Sequence, residues 1–274
     1  MIDLPFTPDL VAGPVRIAWH SIFSLIGSIV AIAIAIRLAR RLVPDERVYP
    51  YALWVLFGGL ISARLGHVAD NWSAYAVDPI RILAFWGGGI AVTAAPLGST
   101  IAGLLAARRL RLPVGAMLDV SAIGIVVGLA IGRIGDVING EHHAVACSGL
   151  AWCIRYTSAE TLGQSTYVHP VVVYDGLLDL AIAGGAYLFW RREWLRAPQG
   201  RAYLIVLGLY GAGRFASSFL RLDPVVLGGL QEAQVLGIAY MAVAPVAWIL
   251  VARGHSSPSF RAAGGHGRPT PPGR

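Results

Sequence analysis

Seven apolar stretches, each near the roughly 20 residues that a spanning helix needs, divide the chain. They run about Val15–Ile36, Tyr51–Val68, Ile80–Ala107, Met117–Ile134, Val171–Trp190, Ala202–Phe219 and Gln234–Val251. The third is overlong and contains Gly87, Gly88, Gly89 and Pro96, so a tilted, kinked or partly re-entrant element is expected there. The longest connection, about Asn139 to Val168, holds both cysteines, and from Gly254 onward the chain is rich in Gly, Pro, Ser and Arg. The pattern predicts an all-α, polytopic integral membrane protein with about seven transmembrane helices. It assigns a membrane domain to residues 1–253, with a small outer loop segment over about 139–168, and a disordered tail to 254–274.

Composition agrees: 56% of the residues are hydrophobic and 14% charged, against roughly 25% charged in soluble domains. A net charge of +7 would point a soluble protein toward nucleic acid. Here arginines in cytoplasmic loops account for it, and no nucleic-acid partner is expected. All 22 basic residues are arginine, so the choice of Arg over Lys at any one position carries little information. The first fifteen residues carry Asp3, Asp9 and three prolines in place of a basic region, and no signal peptide is expected.

The arginines also orient the chain. Alternate connections hold Arg37, Arg40, Arg41 and Arg47, then Arg108, Arg109 and Arg111, then Arg191, Arg192, Arg196 and Arg201, and finally Arg253, Arg261, Arg268 and Arg274. The opposite side has Arg16, Arg81, Arg155 and Arg221. Fifteen against four predicts the N-terminus outside and the C-terminus in the cytoplasm.

Arg64, Arg133 and Arg214 remain, all inside spans. With about 1.5 Å of rise per residue, all three fall within roughly 8 Å of the outer boundary. A single such arginine would snorkel to the interface. Three at one depth, two of them among glycines, point instead to a shared anionic ligand, and the natural anion there is a phospholipid headgroup. Tyr210 shares a helix face with Arg214, and His20, His67, His142, His143 and His169 all map to the outer half. Asp175 and Asp179 are plausible counter-ions. Cys147 and Cys153 face an oxidising compartment and are expected to pair. A metal site using His142, His143 and the cysteines lacks the ordinary zinc spacings and is discounted.

The densest chemistry is Gly132-Arg133-Ile134-Gly135-Asp136-Val137-Ile138-Asn139-Gly140-Glu141. It resembles the GRIGNFINGE signature of bacterial prolipoprotein diacylglyceryl transferases. Ala63-Arg64-Leu65-Gly66-His67 is similar to that family's GRLGY, and Trp86-Gly87-Gly88-Gly89 to its WxGG. His169-Pro170 through Tyr174-Asp175 is similar to its HPxQLYE, Tyr210 through Arg214-Phe215 to its YGxxRF, and Ala233-Gln234 stands where it has GQ. The order is the same throughout.

The chain departs from the family at identifiable points. The signature Asn is Asp136, a family histidine aligns with Thr93, and HWYG aligns with Ala18-Trp19-His20-Ser21. The Gln and Glu of HPxQLYE become Val172 or Val173 and Asp175.

The resemblance implies transfer of the diacylglyceryl group of phosphatidylglycerol to a prolipoprotein lipobox cysteine, at a bacterial cytoplasmic (inner) membrane, with no metal or organic cofactor. Arg133 and Arg214 would hold the phosphate with help from Tyr210, and Arg64 and His169 would join the lipid contacts. Asn139, Gly140 and Glu141 would order the site, and His20 and Asp136 are the bases that can be named. An alternative is a protein that binds an anionic phospholipid without thiol transfer, which the altered Thr93 and Asp136 support. A generic receptor or channel has only the helix count behind it.

Overall fold

The computed structural model describes residues 1–13, 15–43, 45–84, 89, 94–193 and 200–254. Most of the chain is helical: α1 (Trp19–Leu42), α2 (Val48–Asp70), a short α3 (Trp72–Val77), α4 (Ala95–Arg109), α5 (Val114–Asn139), α6 (Val171–Glu193), α7 (Arg201–Ser218) and α8 (Glu232–Gly254). Five of these, α1, α2, α5, α6 and α8, are long and apolar enough to cross a membrane. The 15-residue α4 and the 18-residue α7, which carries Arg201 and Arg214, are not among the five.

Each long helix lies on one of the expected apolar stretches, but several boundaries move. The first stretch was expected to start at Val15, whereas α1 begins at Trp19 because Asp9–Ala12 (β2) and Val15–Ala18 (β3) form an antiparallel hairpin. At its other end α1 runs on to Leu42, past Arg40 and Arg41 in its last turn. Cations are favourable at a helix C-terminus and their stems lie along apolar surface, so these charges do not end the helix. Within the overlong third stretch Pro79–Leu83 is a 3-10 turn, and the next described helix begins at Ala95. Trp86, Gly87, Gly88 and Thr93 lie outside the described residues, as does the tail from 255 onward.

Among the described residues three two-stranded sheets, which the sequence reading did not predict, accompany the helices. Ile2–Leu4 (β1) pairs in parallel with Ile154–Tyr156 (β4), placing Ile2 opposite Ile154. Besides the β2–β3 hairpin, Val225–Leu227 (β5) pairs with Leu230–Gln231 (β6) between α7 and α8. Strands of two to four residues are too short for alternation to announce them.

The axis of the bundle is α5. Within its most apolar stretch 56% of residues are buried by protein, against 17% for α1 and 11% for α8. Met117, Val120, Ile123 and Val126 form its buried stripe, while Leu25, Leu177 and Leu250 point outward, as side chains facing lipid would. Between apolar helices in lipid there is little hydrophobic drive, so close backbone approach must supply the packing. Glycines provide it where α1 crosses α5. A Cβ on Gly128 would lie 2.7 Å from the Gly27 carbonyl oxygen, and one on Gly135 would lie 2.7 Å from His20 Cα. At the far end of α5, buried Asp119 accepts the backbone N–H of Gly200 (2.8 Å) and Tyr203 (2.9 Å), capping α7 from a neighbouring helix.

Replacing Gly128 with Val should push α1 from α5 because the obstructing atoms are backbone and cannot turn aside. We expect a loss of about 1–3 kcal/mol, read as a lowered melting temperature in detergent. An unchanged Tm would show that this crossing does not set the helix spacing.

Candidate functional site

The C-terminal turns of α5 gather a buried ionic cluster. Arg133 Nη1 donates to Asp136 Oδ2 across one turn at 2.9 Å, and its Nε lies 3.9 Å from Asp179 Oδ2 on α6. Asp136 is only 4% exposed, and its other oxygen, Oδ1, shares a 2.5 Å hydrogen bond with His20 Nδ1. His20 sits in the first turn of α1, and Gly135 is what lets that turn close on α5. From the far side His142 Nε2 stands 3.6 Å from Asp136 Oδ2 and 4.0 Å from Glu141 Oε1.

A second knot lies beside the first. Asp175, buried on α6, accepts from Arg214 Nη1 (2.8 Å) and Arg221 Nη2 (2.6 Å). Tyr210 sits in the electrostatic field of Arg214, Arg133, Asp179 and Asp175. Three arginines and three aspartates therefore share one low-dielectric region. Their pairing is incomplete: Arg133 Nε, Arg221 Nε and Asp179 Oδ2 are buried with no hydrogen-bond partner. Burial first, and then the neighbouring Arg214, depress the Arg221 guanidinium below its ordinary range.

α5 stops at Gly140, whose φ of +78° is a left-handed conformation that glycine adopts without strain, and its N–H closes onto Asp136 O at 2.9 Å. Asn139 is buried in the last turn, while Glu141 is exposed just beyond it. The following segment folds back over this end. Tyr156 Oη donates to Val137 O (2.7 Å), and burial pushes its phenol up to about 12. Cys147 and Cys153 form the expected disulfide. A small cavity under the segment is lined by Gly140, His142, Tyr156, Gln164 and His169. His169 Nδ1 also lies 3.4 Å from Tyr174 Oη, which accepts Trp152 Nε1–H at 2.9 Å.

The expected residues thus gather with one exception. His20, Arg133, Asp136, Glu141, Tyr210 and Arg214 converge, with Asn139, Gly140 and His169 at the margin. Arg64 was expected to share their anion. It is instead buried and donates to the carbonyls of Arg81 (2.5 Å), Ile82 (2.9 Å), Ala84 (3.2 Å) and Gly89 (2.8 Å), with Tyr75 beneath its plane. Carbonyls turned inward from an irregular segment need donors, and this guanidinium supplies them. The sequence reading places Arg221 in an outer connection, apart from the site. Its spacing of seven from Arg214 continues one helical face, and that was the signal available.

A membrane protein with a buried arginine–carboxylate site at one end of its central helix is the class that this fold and site define. The family described as prolipoprotein diacylglyceryl transferase matches residues 8–250. The chain belongs to that family and is a transferase. It is similar to the phosphatidylglycerol–prolipoprotein diacylglyceryl transferase of Synechococcus elongatus, 34% identical over 266 residues, which span 91% of this chain and 90% of that one. The protein of that name from Trichormus variabilis is 30% identical over 249 residues (87% and 88% of the two chains). That from Clostridioides difficile is 32% identical over 225 residues (82% and 86%).

The covering segment is tied down by β1, where Asp3 accepts both Arg155 Nε (2.8 Å) and Nη2 (2.9 Å) and also Tyr167 Oη (2.8 Å). The Arg155 bonds, then Tyr167, hold this carboxyl near 2, below its ordinary 3.8. A depressed carboxylate stabilises the fold above its ordinary value and ceases to as pH falls through the folded one. Protease sensitivity of the first residues should therefore rise as pH falls from 4 toward about 2, and Asp3→Asn should be equally sensitive across that range.

Proposed function

We propose that this transferase moves the diacylglyceryl group of phosphatidylglycerol to the thiol of a lipobox cysteine in a prolipoprotein, releasing glycerol phosphate. In this reading all seven long helices span a bacterial cytoplasmic membrane, with the N-terminus outside and the C-terminus in the cytoplasm. The site then opens at the outer leaflet, where both amphiphilic substrates can enter sideways. The observation that carries the reading is the under-paired arginine cluster. Arg133 and Arg214 each give a donor to an aspartate, while Arg133 Nε is buried without a hydrogen-bond partner, 3.9 Å from Asp179 Oδ2. An entering phosphate would complete these donors.

The chemistry needs two things. The phosphate leaving group gains charge as its bond to the glyceryl carbon breaks, and donors preorganised in a water-poor site favour that change. Arg133 and Arg214 fill this role, with the Tyr210 hydroxyl beside them. The thiol, with a solution pKa near 8.5, must lose its proton before sulfur attacks that carbon. The hydrogen-bonded imidazole–carboxylate pair of His20 and Asp136 supports assigning them this proton transfer. The second reading, lipid binding without transfer, draws on Asp136, which stands where the family has Asn. Purified protein given phosphatidylglycerol and a lipobox peptide separates the two, since only the transferase yields thioether-linked lipid.

Arg133→Gln and Arg214→Gln should each cost about 2–4 kcal/mol of transition-state stabilisation, or roughly thirty- to a thousandfold in rate, with Lys restoring only part of it. Rate is to be measured per folded molecule, and near-normal turnover in both variants would show that these arginines serve only to pair helices. His20→Phe should slow transfer while lipid still binds. In intact cells, a cysteine introduced at Ser73 or Ser158 should react with an impermeant reagent and one at Pro198 should not; the opposite labelling would invert the orientation.

A further inference from the structure

The three aspartates of the arginine cluster are not equally engaged. Asp136 and Asp175 accept short hydrogen bonds from guanidinium groups. Asp179 is as deeply buried as Asp175, each 3% exposed, yet its Oδ2 accepts no hydrogen bond. The guanidinium it faces, that of Arg133, stands off with Nε at 3.9 Å. Asp175 and Asp179 are also four residues apart on α6, which puts two like charges on one helix face, an unfavourable arrangement. A buried carboxylate oxygen without hydrogen bonds is destabilising in itself, so helix pairing is a poor account of this charge.

Its place relative to an entering anion follows from geometry. Arg133 Nε is buried without a hydrogen-bond partner and is a donor that a phosphate would complete. An acceptor oxygen stands about 2.9 Å from such a nitrogen, and so at most about 7 Å from Asp179 Oδ2. At that separation in a water-poor site one charge acts strongly on another. Around Asp179 lie Arg133 and Asp136 on α5, Asp175 on α6, Tyr210 and Arg214 on α7, and Arg221 just beyond. His20 and His142 lie on the other side of Asp136. The three guanidinium charges are thus offset by three carboxylates, and it is Asp179 that completes the balance.

We propose that Asp179 is a specificity-determining residue through which the arginine site accepts a phosphodiester, with one negative charge, and rejects a phosphomonoester, with nearly two. Repulsion by a fixed carboxylate grows in proportion to the charge on the ligand. Whatever factor Asp179 removes from the affinity for a monoanion, it removes about the square of that factor from the affinity for a dianion. The consequence for turnover rests on the transferase reading. There a C–S bond forms as the C–O bond to phosphate breaks, the bonding pair leaves on oxygen, and the thiol proton goes to the base. A phosphodiester has entered and a phosphomonoester must leave. Asp179 repels the second more than the first, so the arginines that hold the substrate do not retain the product.

The test uses the full chain in detergent at about pH 8, where a phosphomonoester is close to dianionic. The probes are phosphatidylmethanol and phosphatidic acid with the same acyl chains, which differ by one methyl ester and one charge. Wild type should bind phosphatidylmethanol at least roughly tenfold more tightly. Asp179→Asn keeps the shape and removes the charge, and should reduce that preference about tenfold by tightening phosphatidic acid the more. Asp179→Glu, which keeps the charge, should keep the preference, and glycerol phosphate should inhibit transfer by the Asn variant at lower concentration than in wild type. Equal affinity of wild type for the two lipids, or an unchanged preference in the Asn variant, would overturn the proposal. Should the Asn variant fail to fold, the wild-type ratio and the Glu variant decide. Discrimination by a chain that transfers nothing would keep the selectivity of the site and remove its part in product release. Transfer without discrimination would keep the transferase and remove the role of Asp179.

Discussion

Burying charge is the constraint on which the arrangement depends. Taken singly, Arg133, Arg214 or Arg221 in an apolar bundle would each carry a desolvation penalty of several kcal/mol. Each is tolerable only because an aspartate stands within reach: Asp136 for Arg133, and Asp175 for both Arg214 and Arg221. Asp175 on α6 holds Arg214 on α7, and Asp179 on α6 stands 3.9 Å from Arg133 on α5, so these contacts also bear on how α5, α6 and α7 are rotated against one another. The same pairs leave Arg133 Nε, Arg221 Nε and Asp179 Oδ2 without hydrogen bonds. The unfilled buried donors among these are what the proposed anion would complete.

Glycine works with charge in placing the chemistry. Gly135 lets the start of α1 reach α5, and so turns two distant residues, His20 and Asp136, into a hydrogen-bonded pair. The left-handed turn at Gly140 then sends the chain back so that His142 approaches Asp136 from the opposite side. Backbone shape and side-chain chemistry in this ten-residue stretch cannot be varied independently.

Much of this was legible in the chain. Arg133 and Arg214 stood out because charge inside an apolar stretch needs a partner, and Asp175 and Asp179 were the acidic residues at matching depth. Helix positions followed from hydropathy, since in lipid every backbone group must be bonded within its own segment. The partners of Arg64 were hidden because they are main-chain carbonyls, which no residue type reveals. The C-terminal end of α1 was misplaced because arginines read as loop are also good last-turn residues, and its start because a short hairpin precedes it. Strands as short as β1 and β6 carry no periodic signal, and their pairing is decided by what lies across from them.

The parallel pairing of Ile2–Leu4 with Ile154–Tyr156 has a consequence for the order of assembly. A segment made among the first residues finds its neighbour only after some 150 more have been added, with four long helices between. During synthesis α1 can enter the bilayer early, yet the strand before it waits for the connection between α5 and α6. A nascent chain interrupted before Tyr156 therefore has its first helices but no cover over the end of α5. Completion of that end of α5 is a late event, waiting on the connection that carries Cys147 and Cys153.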